Sequence, residues 1–295
     1  MSVQAEEAPP GAPQDVTVAR RVLLFPLVRL LLAIAPIVLF LVGAAIAAAK
    51  VPKHSLGAAV VPVVMGLVVL GIYVGFVRLV ERRPVHELAG EGAVAETARG
   101  FVVGAALFTV TMGILVALQV AHVGRGDGLR ALVIGLGLAI SAGLIEETMM
   151  RAIFFRIVEE SLGTWIALAA SAALFGLLHV FNPGATLVST LAIALEAGVL
   201  LAAAYVFTRR LWMAIGLHVA WNFFEGGVFG ASVSGMKPYG LFSSTFSGAK
   251  LLSGGAFGPE ASIVAVVVCL SAGVALCVAA QRRGRFVRPF WQRRG

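Results

Sequence analysis

The chain has 295 residues, of which 59% are hydrophobic and only 13% charged, with a net charge of +8. A soluble domain carries about 25% charged residues, and runs such as 22–49 and 57–77 leave no polar face for water. The positive charge does not point to nucleic acid: there is no groove-reading motif and no aromatic-interleaved basic face, and the basic residues lie between apolar runs and in the tail after Gln281.

Residues 1–21 read as an N-terminal cytoplasmic tail. Positions 1–19 are polar and carry Glu6, Glu7 and Asp15, without the basic start and short apolar core of a signal peptide. Apolar runs near the length of about 20 residues that a membrane span needs follow at 22–49, 57–80, 100–121, 130–150, 164–181, 186–208, 211–230 and 261–280. The fourth is expected to continue past Arg151 toward Glu159. Between them, 81–99 reads as an amphipathic interfacial connector and 231–259 as a Gly- and Ser-rich loop. The expected fold is all-α, a polytopic membrane bundle of about eight helices within 22–281, followed by a basic C-terminal tail over 282–295. Cys269 and Cys277 read as small packing residues with no disulfide framework or metal spacing.

Charge sets the expected orientation. With both termini cytoplasmic, that side receives Arg20, Arg21, Arg78, Arg82, Arg83, Arg99, Arg151, Arg156, Arg209, Arg210 and the tail arginines. The other side receives Lys50, Lys53, Arg125, Arg130, Lys237 and Lys250, the bias of the positive-inside rule. The scarcity of lysine in an Ala- and Gly-rich chain suggests a GC-rich bacterial source, hence the bacterial inner membrane.

Ionisable groups inside spans cost about 2.5–3.5 kcal/mol each even on the lower scales, so those present ask for a reason. In Glu146-Glu147-Thr148-Met149-Met150-Arg151, Glu147 and Arg151 are four apart and can pair, while Glu146 points about 100° away. That leaves one carboxylate neutralised and the other free to act as a base, or both as a structural ion cluster. His179 follows Phe175 by four residues and reads equally as a packing histidine. His218 and Asn222 share a face and can hold water, stabilise an oxyanion or glue helices together. Together they form a water-activating set on three spans, with no G-x-S-x-G elbow and no H-E-x-x-H zinc motif.

Glu146-Glu147-x-x-x-Arg151, Phe175-x-x-x-His179 and His218-x-x-x-Asn222, in this order across 140–225, resemble the CAAX prenyl protease and bacteriocin-processing family. Leu211-Trp212 and Gly255-Ala256-Phe257-Gly258-Pro259-Glu260 add context. The resemblance implies an intramembrane endopeptidase that cuts a lipidated or membrane-bound protein or peptide near its C-terminus. It implies Glu146 as the water-activating base, His179 sharing the water, His218 and Asn222 stabilising the oxyanion, and Glu147 with Arg151 orienting Glu146. No cofactor is expected. Zinc stays open, with Glu146, His179 and His218 as its candidate ligands. Expected partners are the substrate and the lipid bilayer, with no nucleic acid. The alternative functions are a bacteriocin self-immunity factor or membrane scaffold on the same fold, or a proton-coupled transporter. Glu196 reads as a cavity-lining acid or a partner for Arg29, and Trp221 and Glu225 as residues shaping the groove. One difficulty is geometric: His218 lies about 12 Å past Arg210 and His179 about 22 Å past Thr164, although one site needs both at one depth.

Overall fold

The computed structural model describes residues 18–293 apart from His54. Residues 1–17 of the expected tail lie outside this range, and Val18–Leu23 forms a short helix with Arg20 and Arg21 exposed. Among the described residues, seven helices are long and apolar enough to cross a membrane, and the chain is a mostly helical, multi-pass membrane protein. They are α1 (Pro26–Ala48), α2 (Gly57–Glu81), α3 (Ala93–Ala117), α4 (Leu129–Leu162), α5 (Thr164–Phe181), α6 (Leu187–Thr208) and, after one shorter helix, α8 (Ile263–Arg282).

The shorter helix is α7 (Trp212–Asn222), which covers most of the span expected over 211–230. It continues as a π-helical turn, Phe223–Val228, and stops short of a full crossing. Its side chains from Met213 to Trp221 are buried, so protein rather than lipid surrounds it. Backbones close in tightly around it. A Cβ on Gly100 of α3 would collide with the carbonyl of Met213, and one on Gly216 with the carbonyl of Thr97. Small residues at such crossings let membrane helices pack without a hydrophobic driving force.

The two ends of the bundle differ in chemistry. At one end lies a network of arginines and glutamates. Glu81, nearly buried, accepts from Arg29 Nε and Arg156 Nη2, each at 2.9 Å. Arg83 donates to Glu87 at 2.9 Å, Arg209 pairs with Glu159, and Arg210 pairs with Glu96. Arg29 is thus taken by Glu81 and Glu160; the expected pairing with Glu196 does not form, because the two lie at different levels of the bundle. The C-terminal segment docks here as well: the amide of Val287 donates to Thr164 Oγ1 at 2.8 Å.

The opposite end holds the two strands, β1 (Ala121–Arg125) and β2 (Phe242–Phe246), paired antiparallel with Ala121 opposite Phe246. The region read as loop, 231–259, therefore contains a strand and a helical turn, Lys250–Ser253. Its amides at Ser234 and Gly235 are tied to Glu260 Oε1 and the Phe257 carbonyl.

Gly216→Val should force α3 and α7 apart and cost about 1–3 kcal/mol, the usual penalty of overpacking. Thermal unfolding in detergent measures this against Gly113→Val, where a Cβ meets nothing within 4 Å and the midpoint should hold.

Candidate active site

Glu146 and Glu147 sit at the midpoint of α4, just before its π-helical turn Thr148–Phe155. Such turns widen a helix and concentrate at functional sites. Two more occur nearby, Ala194–Gly198 in α6 and Phe223–Val228 after α7.

Glu147 is fully buried. Arg151 Nη1 donates to its Oε1 at 3.2 Å, and His218 Nδ1 lies 2.9 Å from the same oxygen. A carboxylate can only accept there, so the proton of that bond is on Nδ1. The guanidinium of Arg151, also fully buried, donates to the carbonyls of Ala197 and Gly198 at 3.3 Å and lies 4.7 Å over the Phe175 ring. The pairing of Glu147 with Arg151 is the one its spacing suggested. Its second partner is new: Glu147 fixes the imidazole of His218, and through that ring it turns Nε2 toward Glu146, whose Oε2 is 3.9 Å away.

His179 closes α5. Its Nδ1 lies 2.7 Å from the Phe175 carbonyl, and its ring packs 4.8 Å from the Phe175 ring. Bonded this way, Nδ1 carries the proton and Nε2 is an acceptor. The Phe175 ring in turn meets His218 edge-on at 6.2 Å.

The depth difficulty disappears in this arrangement. From the layer of Glu159 and Thr164, Glu147 lies about 18 Å along α4 and Phe175 about 16 Å along α5. Helical side chains lean toward the N-terminus, so His179 folds back to the level of Phe175. α7 starts inside the protein, with Leu211 buried and its amide bonded to the Glu87 carbonyl at 3.0 Å.

Two connected spaces result. A small chamber of about 30 Å³ is walled by Glu146, His179, His218 and Asn222 together with Glu196, Ser234, Trp221 and Glu260. A buried water needs about 10–15 Å³ of such space and several polar partners, so the chamber suits one or two waters. Glu146, His179 and Asn222 also line a cleft of about 610 Å³, otherwise walled by Leu138, Ala139, Ala142, Met149, Leu178 and the segment from Val233 to Tyr239. The four residues that the family resemblance implies for the site, Glu146, His179, His218 and Asn222, thus all line the chamber. Glu196 belongs to the chamber, as does Trp221. Glu225 lines neither space; it is buried behind, facing Gly258. Glu260, which the sequence reading held only as context before the last span, is a chamber residue. Its signal was an acid at the start of an apolar helix, inside Gly255–Glu260.

Among the described residues, no three His, Cys, Asp or Glu side chains are arranged to hold one metal ion. Only Nδ1 of each histidine is committed, His218 to Glu147 and His179 to a carbonyl, so each keeps Nε2, the pattern that metal-ligating histidines also show.

Removing the Glu147 carboxylate would leave Arg151 charged, buried and without its acid partner. Glu147→Ala should therefore destabilise the protein by about 3–5 kcal/mol. Glu147→Leu combined with Arg151→Met should recover part of that loss, read as the thermal midpoint in detergent.

Residues 128–224, about a third of the chain, match the family described as type II CAAX prenyl endopeptidase, Rce1-like. No curated protein and no solved structure matches the chain. The matched stretch contains α4 to α7 and every residue of the Glu147 cluster. The chain carries an Rce1-like type II CAAX prenyl endopeptidase family domain across residues 128–224.

Proposed function

We propose that this protein is an intramembrane endopeptidase of the bacterial inner membrane, with both termini cytoplasmic. It hydrolyses a lipidated or membrane-bound protein or peptide near its C-terminus, using a water activated by Glu146 without a metal. The observation that carries this reading is the shared wall: Glu146, His179, His218 and Asn222 face one water-sized chamber at the edge of an apolar cleft.

The chemistry follows from donors and acceptors. Glu146 and His179 Nε2 both accept, so together they hold the two hydrogens of one water and leave its lone pair for the scissile carbonyl carbon. As the new C–O bond forms, the water proton passes to Glu146. Negative charge moves onto the former carbonyl oxygen. The Asn222 amide donates to it, and His218 donates from Nε2 when the ring carries both protons, with Glu147 balancing the charge from the Nδ1 side. The C–N bond then breaks, and Glu146 returns its proton to the leaving amine. Apolar walls hold the lipid or apolar side chains of the substrate, and the buried setting strengthens each of these polar interactions.

Roles separate by rate. With a synthetic prenylated CAAX peptide as probe, Glu146→Gln and His179→Ala should abolish detectable cleavage. Asn222→Ala should lower kcat about 100- to 1000-fold, as loss of one oxyanion donor does. A chelator such as EDTA should leave the wild-type rate unchanged. Cleavage by Glu146→Gln at the wild-type rate defeats the proposal and favours a non-proteolytic role.

A further inference from the structure

The cleft has a direction. Its α4 wall runs from Met150 to Gly135, about 22 Å along the helix, and the greater part of it, from Glu146 to Gly135, leads away from the arginine–glutamate network and toward the strands. Its rim is the segment from Val233 to Tyr239, which belongs to the strand end: a Cβ on Gly135 would lie 3.0 Å from the Tyr239 carbonyl, and Gly235 is bonded to Phe257. Toward the network the way is shut. Phe155, Tyr205, Val206 and Leu211 fill that level and are buried. The flanks are open to lipid, with Leu138 and Leu178 about half exposed at the cleft.

The ends also differ in basic residues. The network end carries the doublets Arg20 and Arg21, Arg82 and Arg83, and Arg209 and Arg210, with the tail arginines from Arg282. The strand end carries Lys50, Lys53, Arg125, Arg130, Lys237 and Lys250. Lys and Arg near span ends favour the cytoplasm, and acids contribute little to the choice, so the pairing of the network arginines does not weaken the bias.

We infer that the catalytic cleft opens toward the non-cytoplasmic half of the membrane, and that its substrate is the membrane-embedded or membrane-proximal segment of an exported, membrane-anchored polypeptide. The substrate class rests on the hydrolytic reading above; the side of the opening rests on the packing of the bundle and the arginine bias. A cytoplasmic lipidated protein would meet the sealed end. An exported chain anchored by lipid or helix would present an extended segment at the depth of the rim, beside the half-exposed leucines. At about 3.3 Å per residue, the wall from Gly135 to Glu146 holds about five residues of such a segment.

The side can be read without catalysis. Both native cysteines are buried; replacing them by alanine gives a background for two single-cysteine variants, Met236→Cys on the cleft rim and Gln292→Cys in the tail, both exposed positions. In intact bacteria a membrane-impermeant maleimide should label Met236→Cys, and should label Gln292→Cys only after the membrane is opened. Labelling of Met236→Cys only after lysis, or in neither state, overturns the inference, as does labelling of Gln292→Cys in intact cells. Expected labelling in a protein that cleaves no peptide defeats the hydrolytic reading alone and leaves the side of the opening standing.

Discussion

Glu147 is a fully buried carboxylate between Arg151 and His218, and the arrangement of the site depends on it. An isolated charge at such depth is untenable, and so is the buried arginine four residues away. Each is acceptable because of the other, and because Arg151 Nη2 reaches the Ala197 and Gly198 carbonyls and the guanidinium lies over the Phe175 ring. That one knot therefore sets α4, α5, α6 and α7 in register. His218 is the link between this pair and the chamber that Glu146 lines. With Nδ1 held by Glu147, the other nitrogen has no freedom to turn from the chamber.

The π-helical turns make the knot geometrically possible. In a regular α-helix each carbonyl is taken by the amide four residues on. Where α6 widens over Ala194–Gly198, carbonyls are available to Arg151 and the Glu196 side chain is turned into the chamber. The widening of α4 over Thr148–Phe155 carries Arg151 itself. Local departures from helix geometry thus supply the polar partners that a bilayer cannot. The polar groups converge on a space fit for water, and the larger cleft beside it is mainly apolar.

Much of this was legible in the sequence, for reasons tied to particular residues. The spans were readable because bilayer thickness fixes their length, and Glu147 with Arg151 because helix periodicity puts i and i+4 together. Glu146, His179, His218 and Asn222 stood out because polar groups in apolar runs need a cause. The rest depended on contacts between distant segments. Nothing local says that β1 finds β2 more than a hundred residues later, or that Arg29 meets Glu81 and Glu160 instead of Glu196. The Glu147 bond to His218 crosses from α4 to α7, and only packing reveals it. The conflict between the two histidine depths arose from counting along straight helices from a flat surface; α7 begins within the protein, and His179 leans back a turn.

The sealed end bears on hydrolysis as much as the open one does. A peptidase in a membrane must admit water to one carbonyl without opening a leak across the bilayer. Here the chamber adjoins the cleft, with Glu146, Phe175, His179, Asn222 and Ser234 lining both, while Phe155, Tyr205 and Leu211 fill the core on the other side. The arginine–glutamate network beyond that plug fastens α1, α2, α4 and the end of α6 together. On the proposed reading, substrate, water and product all use the cleft and its lipid-facing flank. On the hydrolytic reading, a single-ended site of this kind samples one leaflet, and the sign of the charge bias across the bundle then decides which proteins it meets, before any contact in the cleft discriminates among them.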